Sequence, residues 1–251
     1  MPIAIVTGAS RGLGEALAAG LAGAGWSLVI DARTAKGLQA AEARIGTALR
    51  AGQELRAIAG DVTDPAHRRQ LVAAAKEIGG IDLVVNNAGT LGPSPLPDLS
   101  RFPLDGLREA FEANVIAPLA LIQEAAELLE LSPRPTVINI TSDASVEPYE
   151  GWGGYGASKA ALDRISAVLA AERPGWTVWA VDPGDMRTQM HQDAFPGEDI
   201  SDRPEPASVV PALLALIASD RQSGRVKLAE VAEVANFADV TDLTHLPGGK
   251  R

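Results

Sequence analysis

Tyr155 and Lys159 stand four residues apart in "YGASK", and Ser142 lies 13 residues before the tyrosine. On a helix, positions i and i+4 share a face. Alone, such a pair reads as an exposed helical couple. Here it falls in the first turn of a helix that follows an apolar run, "PTVINIT", and the turn "EGWGG" between them would bring the helix start back over the end of that run. A phenol titrates near 10 and is a poor acid or base at neutral pH. An ammonium about 5 Å away, at an effective dielectric near 20, favours the phenolate by about 3 kcal/mol, or roughly two pH units. Tyr155 beside Lys159 could therefore exchange a proton with a carbonyl or alcohol oxygen, and Ser142 could hold the same oxygen by a hydrogen bond.

A second pattern opens the chain. "TGASRGLG" (7–14) follows the apolar run Ile3-Ala4-Ile5-Val6 and precedes an apolar, alanine-rich stretch. Strand, glycine turn and helix in that order suit a dinucleotide. One glycine makes the tight turn, one lets a pyrophosphate approach the backbone, and one lets the helix pack against the strand. The helix start then offers free N–H groups to phosphate.

These residues need a scaffold that brings them to one edge. Short β-rich runs at 3–7, 27–31, 55–60, 81–86, 135–141, 177–182 and 225–228 alternate with helical patterns near 12–24, 35–51, 65–79, 103–130, 154–173 and 206–219. Runs apolar on both faces, such as "IDLVVN", suit a parallel sheet covered by helices. The expected fold is α/β, a Rossmann-type doubly wound sheet of about seven parallel strands with helices on both faces, in one domain spanning 1–251. Ligands in such sheets bind beyond the carboxyl ends of the strands. Polar or glycine-bearing residues stand at five of those ends: the glycine turn, Asp61-Val62, Asn86-Asn87-Ala88-Gly89, Thr141-Ser142 and Asp182-Pro183-Gly184. The Pro-rich stretches 90–100 and 190–206 read as loops, the second as a substrate loop. The tail "LTHLPGGKR" reads as weakly ordered.

Composition narrows the function. A net charge of −10 argues against a nucleic-acid surface. The absence of cysteine excludes disulfides and thiolate metal sites and is compatible with a reducing, cytoplasmic compartment. His67, His191 and His245 make no metal-ligand spacing and read as solvated residues, so no metal is expected. "MPIAIVTGAS" lacks the charged start and long apolar region of a signal peptide, and no run of about 18 apolar residues predicts a membrane span.

Six motifs in order give the chain a resemblance to the short-chain dehydrogenase/reductase family, over most of its length from Thr7 to about Val226. They are "TGASRGLG", "NNAG" (86–89), Asn114 in the long helix after strand 4, Ser142, the Tyr155/Lys159 pair and "PGDMRT" (183–188). The resemblance implies a catalytic set of Asn114, Ser142, Tyr155 and Lys159. It implies that Gly8, Ser10, Gly12 and Gly14 shape the pyrophosphate site, with Arg11 and Leu13 of the same turn also among the cofactor-binding residues. Asp61 would bond the adenine amino group, beside the Val62 backbone, and Asn87, Ala88 and Gly89 would flank the adenosine ribose. Pro183, Gly184, Met186 and Thr188 would hold the nicotinamide carboxamide. Lys159 would bind the nicotinamide ribose, and Asn114 would hold a water linking Lys159 to solvent. A homodimer or homotetramer is also implied. The chain departs from the pattern with Thr141 before the serine and Asp143 after it.

Cofactor choice turns on strand 2, "SLVIDART". The family's acidic position, 18 residues after the last glycine of the turn, is Ala32; Asp31 is one residue early and belongs to the opposite face. Arg33 and Arg11 fall where family members place cations against a 2′-phosphate. The expected cofactor is NADP, with NAD as the alternative if the register slips by one residue. The expected reaction is hydride transfer between nicotinamide and a carbonyl or alcohol substrate, with Tyr155 handling the proton. A dinucleotide-binding regulator without turnover is the competing reading, opposed by the intact catalytic set. Sugar-nucleotide epimerase or dehydratase chemistry is a third, opposed by the chain length and by three residues in the first gap of the turn. Trp152 and Phe195 suggest an apolar pocket wall, and Glu147, Glu150 and Asp193 add negative charge, which disfavours an anionic, carrier-linked acyl substrate.

Overall fold

The computed structural model describes residues 1–235, and its sheet follows from the apolar runs. The strands are β1 (Ile3–Val6), β2 (Ser27–Ala32), β3 (Leu55–Ala59), β4 (Leu83–Asn86), β5 (Thr136–Ile140), β6 (Thr177–Asp182) and β7 (Gly224–Lys227). All neighbours pair in parallel, in the order β3-β2-β1-β4-β5-β6-β7. Every residue of β1, β2, β4 and β5 is buried, because helices cover both faces and leave no polar side to the pleat. The order reverses between β1 and β4, the switch point where a doubly wound sheet opens a crevice.

One face packs Val6, Leu28, Ile30 and Val181 against α1 (Gly12–Gly23), α2 (Ala35–Gly46) and α8 (Val210–Ala218). The other packs Ile5, Val29, Val84 and Val178 against α3 (Pro65–Ile78), α5 (Ala117–Leu129) and α6 (Gly153–Glu172). Each fully buried Leu or Ile stabilises the fold by about 1.5–3 kcal/mol. Local signals set the helix ends. Asp64 accepts from Ala66 N–H at 2.8 Å, Pro65 starts α3, and Gly79 ends it at φ 129°.

Three departures from the sequence expectation bear on the site. The helix expected at 103–130 is α4 (Leu104–Phe111), a π-helical turn at Glu112–Ile116, and α5. Apolar periodicity runs through the break, so the pattern hides it; Pro118, which lacks an N–H, stands in the first turn of α5. The substrate loop expected at 190–206 begins as helix, α7 (Gln189–Ala194), because Thr188 Oγ1 accepts from His191 N–H at 3.1 Å and caps it. A last helix, α9 (Leu228–Ala235), follows β7 where none was expected. The tail 243–251 lies outside the described residues.

Candidate functional site

The glycine turn is built by close approach. Gly8 takes φ 69°, and a Cβ there would lie 2.9 Å from Ala88 Cα. A Cβ on Gly14 would lie 2.4 Å from Asn87 Nδ2 and 2.5 Å from Gly8 O, so only glycine lets α1 start against the strand ends. Thr7 joins the two neighbouring strands: its Oγ1 accepts from Asn87 N–H and Ala88 N–H, both at 3.0 Å. Asn87 Nδ2 donates to Thr7 O at 2.8 Å and Gly8 O at 3.2 Å. Asn87 is thus a brace as well as a lining residue.

Beneath this turn lies an arrangement the sequence did not reveal. Asp31 Oδ1 accepts from Gly8 N–H at 2.7 Å, and Oδ2 bonds His67 Nε2 at 2.8 Å. Asp31 is 1% exposed and His67 4%. The expectation of a solvated His67 is therefore wrong: α3 seats the ring against Gly60 and over the buried carboxylate. His191 is also mostly buried, its ring tilted against Phe195 with centres 5.0 Å apart, and His245 lies outside the described residues. Burial pushes the Asp31 carboxyl up, against the His67 and Gly8 hydrogen bonds. Asp31 shares the sheet face of Val29, and Ala32 belongs to the opposite core with Ile30. Arg11 and Arg33 are exposed beside the turn, and among the described residues neither pairs with a carboxylate. At Asp61, burial would raise the carboxyl, but the Thr63 N–H and hydroxyl, Arg33 and His67 outweigh it and hold it low.

At the other end, β5 delivers Ser142 and α6 delivers Tyr155 and Lys159. The Ser142 hydroxyl donates to Asp143 Oδ1 at 2.9 Å, and Tyr149 donates to Asp143 Oδ2 at 2.9 Å. Lys159 Nζ donates to Ile140 O at 2.8 Å and lies 5.5 Å from the Tyr155 ring centre. The expected depression of the phenol is not what this geometry produces. Burial, then the charges of Asp143 and Asp182, push Tyr155 above its ordinary value, against a hydrogen bond with Ser142. Burial pushes Lys159 down to about 8, against the charge of Asp163. Desolvation is the largest influence on both groups, and it favours the neutral phenol.

Asn114 is fully buried in the π turn. Its Oδ1 accepts from Thr90 N–H at 2.9 Å, and its amide donates to Thr90 O at 2.8 Å and Ser158 Oγ at 2.9 Å. Both amide hydrogens are therefore committed to protein. After β6, Gly184 N–H donates to Asp182 Oδ1 at 3.1 Å, and Thr188 N–H to Met186 O at 2.8 Å. Asn86 faces inward, in a buried ladder with Asn139 (2.8 Å) and Ser166 (2.8 Å).

One cleft of about 1230 Å³ joins the two ends. It is lined by every cofactor and catalytic residue expected from the sequence except Gly14 and Asn114, which lie behind its wall. That volume exceeds a single small-ligand pocket and leaves room for a second molecule beside a dinucleotide. Over Tyr155 stands an apolar wall of Leu91, Ala144, Trp152, Met190, Ala194 and Phe195, with Trp152 edge-on to Tyr155 at 5.7 Å and 5.9 Å from Phe195. Among the described residues no cluster of His, Asp or Glu could hold a metal ion. No described helix is long and apolar enough to cross a membrane.

The family model for short chain dehydrogenases matches residues 2–199. The chain is 34% identical over 200 residues to sepiapterin reductase of Rattus norvegicus, covering 76% of each. It is 36% identical over 196 residues to the rhamnolipids biosynthesis 3-oxoacyl-[acyl-carrier-protein] reductase of Pseudomonas aeruginosa, covering 75% of this chain and 74% of that one. The fold matches a short chain dehydrogenase from Shigella flexneri crystallised with NADP, at TM-score 0.83 and 28% identity, over 90% of this chain and 95% of that one.

Proposed function

The chain belongs to the short-chain dehydrogenase family of oxidoreductases, and we propose that it is an NADP-dependent reductase of a neutral carbonyl compound. The carrying observation is that buried Tyr155, with Ser142 and Lys159, shares a cleft with the glycine turn and its two exposed arginines. When bound, NADPH supplies the hydride to the carbonyl carbon.

The chain's own residues do the rest. Tyr155 donates its phenolic proton to the carbonyl oxygen, and Lys159, charged below about 8, stabilises the phenolate left behind. Ser142 holds the same oxygen once its hydroxyl turns from Asp143. Asn114 positions Thr90 and the π turn, with a water toward Lys159 the remaining element of its role. Gly8, Ser10, Gly12, Leu13 and Gly14 admit the pyrophosphate, Asp61 and Val62 the adenine, and Asn87, Ala88 and Gly89 the adenosine ribose. Pro183, Gly184, Met186 and Thr188 hold the carboxamide.

The preference for NADP rests on charge. Ala32 offers no carboxylate to a ribose 2′-hydroxyl, and both oxygens of Asp31 are occupied below Gly8. Arg33 and Arg11 remain for a 2′-phosphate. The NADP-bound relative supports this reading.

For the substrate, the aromatic wall favours an apolar or aromatic flank on the carbonyl. Asp143 within the cleft, and Glu147 beside it, disfavour an anionic acyl-carrier substrate like that in the name of the Pseudomonas relative. The test is NADPH oxidation against a panel of ketones, aldehydes, diketones and pterins. Turnover of a neutral member with NADPH preferred over NADH is expected; no turnover across the panel, or a preference for NADH, contradicts the proposal.

A further inference from the structure

We infer that Arg225, on the edge strand β7, is a positioning residue that ties together the loop carrying Ser142, the helix carrying Tyr155 and Lys159, and the strand end leading to Pro183-Gly184. This rests on the reductase reading above.

The guanidinium reaches three elements at once. Its Nη2 donates to Ser142 O at 3.0 Å and to Asp182 Oδ2 at 3.0 Å, and its Nε donates to Asp163 Oδ2 at 3.2 Å. Each contact leads directly to the site. Ser142 O is the carbonyl of the serine itself, in extended backbone (φ −157°, ψ 159°), so fixing it fixes where the hydroxyl starts. Asp182 uses its other oxygen to accept from Gly184 N–H at 3.1 Å, and so orders the first turn of the 183–188 loop. Asp163 lies one helical turn after Lys159 on α6, and its Oδ2 also accepts from Ser145 Oγ at 2.6 Å. The rotation of α6 is thereby locked to the serine loop. A planar fork with donors at fixed separations suits this task, and a lysine offers a single nitrogen on a flexible stem instead.

The charge matters as well as the geometry. Asp182 is 6% exposed, and its charge bears on Tyr155 together with that of Asp143. Lys159 faces the ring from the same helix. Arg225 is the cation that offsets Asp182 and Asp163 from the β7 side. Without it, buried Asp182 and partly buried Asp163 both lose this cation, and the charge of Asp182 weighs more heavily against the phenolate that forms in turnover.

A structural staple alone would lower stability and leave chemistry unchanged, so the test reads both. Hydrogen exchange by mass spectrometry is compared between wild type and Arg225→Met over peptides spanning 142–146, 183–188 and α2, on the protein without added cofactor. Steady-state kinetics follow, with the carbonyl substrate found in the panel and with its alcohol and NADP. The expected result is faster exchange in the first two segments and not in α2. kcat should fall at least about tenfold, with KM for the carbonyl within a few fold. The acid limb of the alcohol oxidation profile should move up by at least about half a pH unit. Adding Asp182→Asn to Arg225→Met should bring that limb back. Arg225→Lys, which keeps charge without the fork, should fall between the two and guards against a variant that fails to fold. Unchanged exchange in both segments overturns the inference, as does faster exchange with kcat and the pH limb unmoved. A wild-type protein inactive on the whole panel would defeat the reductase reading instead, and the exchange comparison would still decide whether Arg225 holds the two segments.

Discussion

Lys159 Nζ donates to the backbone carbonyl of Ile140 at 2.8 Å, which pins the ammonium beneath Tyr155 rather than against its hydroxyl. The lysine acts on the phenol as a buried charge, and that charge is costly enough to depress it to about 8.

A pH dependence follows from its sign. Lys159 is cationic below about 8 and neutral above it. Only the cation stabilises the phenolate that appears when Tyr155 gives up its proton. The kcat for carbonyl reduction should be level through neutral pH and fall as pH rises through about 8. Lys159→Met should be slow at every pH, with that limb gone. A wild-type rate level to pH 10 or beyond would remove the lysine from the proton step.

Arg33→Ala should weaken NADPH binding by about 10- to 150-fold, the cost of one charge-assisted bond to phosphate, and leave NADH nearly unchanged. The effect should shrink as salt rises, because Arg33 is exposed. Asp31→Ala should behave differently. It removes the acceptor of Gly8 N–H at 2.7 Å and strands His67, so both cofactors should weaken together. A large gain in NADPH affinity on that substitution would place Asp31 against the ribose and make this an NAD enzyme.

The Asn86–Asn139–Ser166 ladder gives a stability prediction. Asn139→Ala leaves the Asn86 amide without its acceptor in a buried site, while the Ser166 hydroxyl keeps its bond to Leu162 O at 2.7 Å. The loss should be about 1–3 kcal/mol, read as a lower urea midpoint at unchanged slope. A midpoint equal to wild type would mean that water replaces the ladder.

We propose, from the family resemblance, that the chain works as a homodimer or homotetramer. Light scattering should then give a multiple of 26.0 kDa, and a mass of one chain would reject it.

Much of this was legible because the chemistry lies in short, spaced motifs. The glycine turn, "NNAG", the Ser142/Tyr155/Lys159 spacing and "PGDMRT" each end a strand or start a helix, and parallel order alone brings them to one edge. What escaped depends on side chains meeting across the fold. His67 meets Asp31 only because α3 packs under β2, and Arg225 meets Ser142 only because β7 pairs with β6. Neither contact leaves a local trace in composition or periodicity. The raised phenol escaped for a different reason: a pairwise charge argument omits desolvation, which dominates at a residue as buried as Tyr155.

The account stands most directly on Tyr155→Phe. This change deletes one hydroxyl from a ring whose packing against Trp152 stays in place. NADPH affinity should stay within a few fold of wild type while kcat for carbonyl reduction falls by about two to four orders of magnitude, the size of a lost general acid. Turnover near the wild-type rate in that variant, with NADPH still bound, would contradict the assignment of Tyr155 as the proton donor.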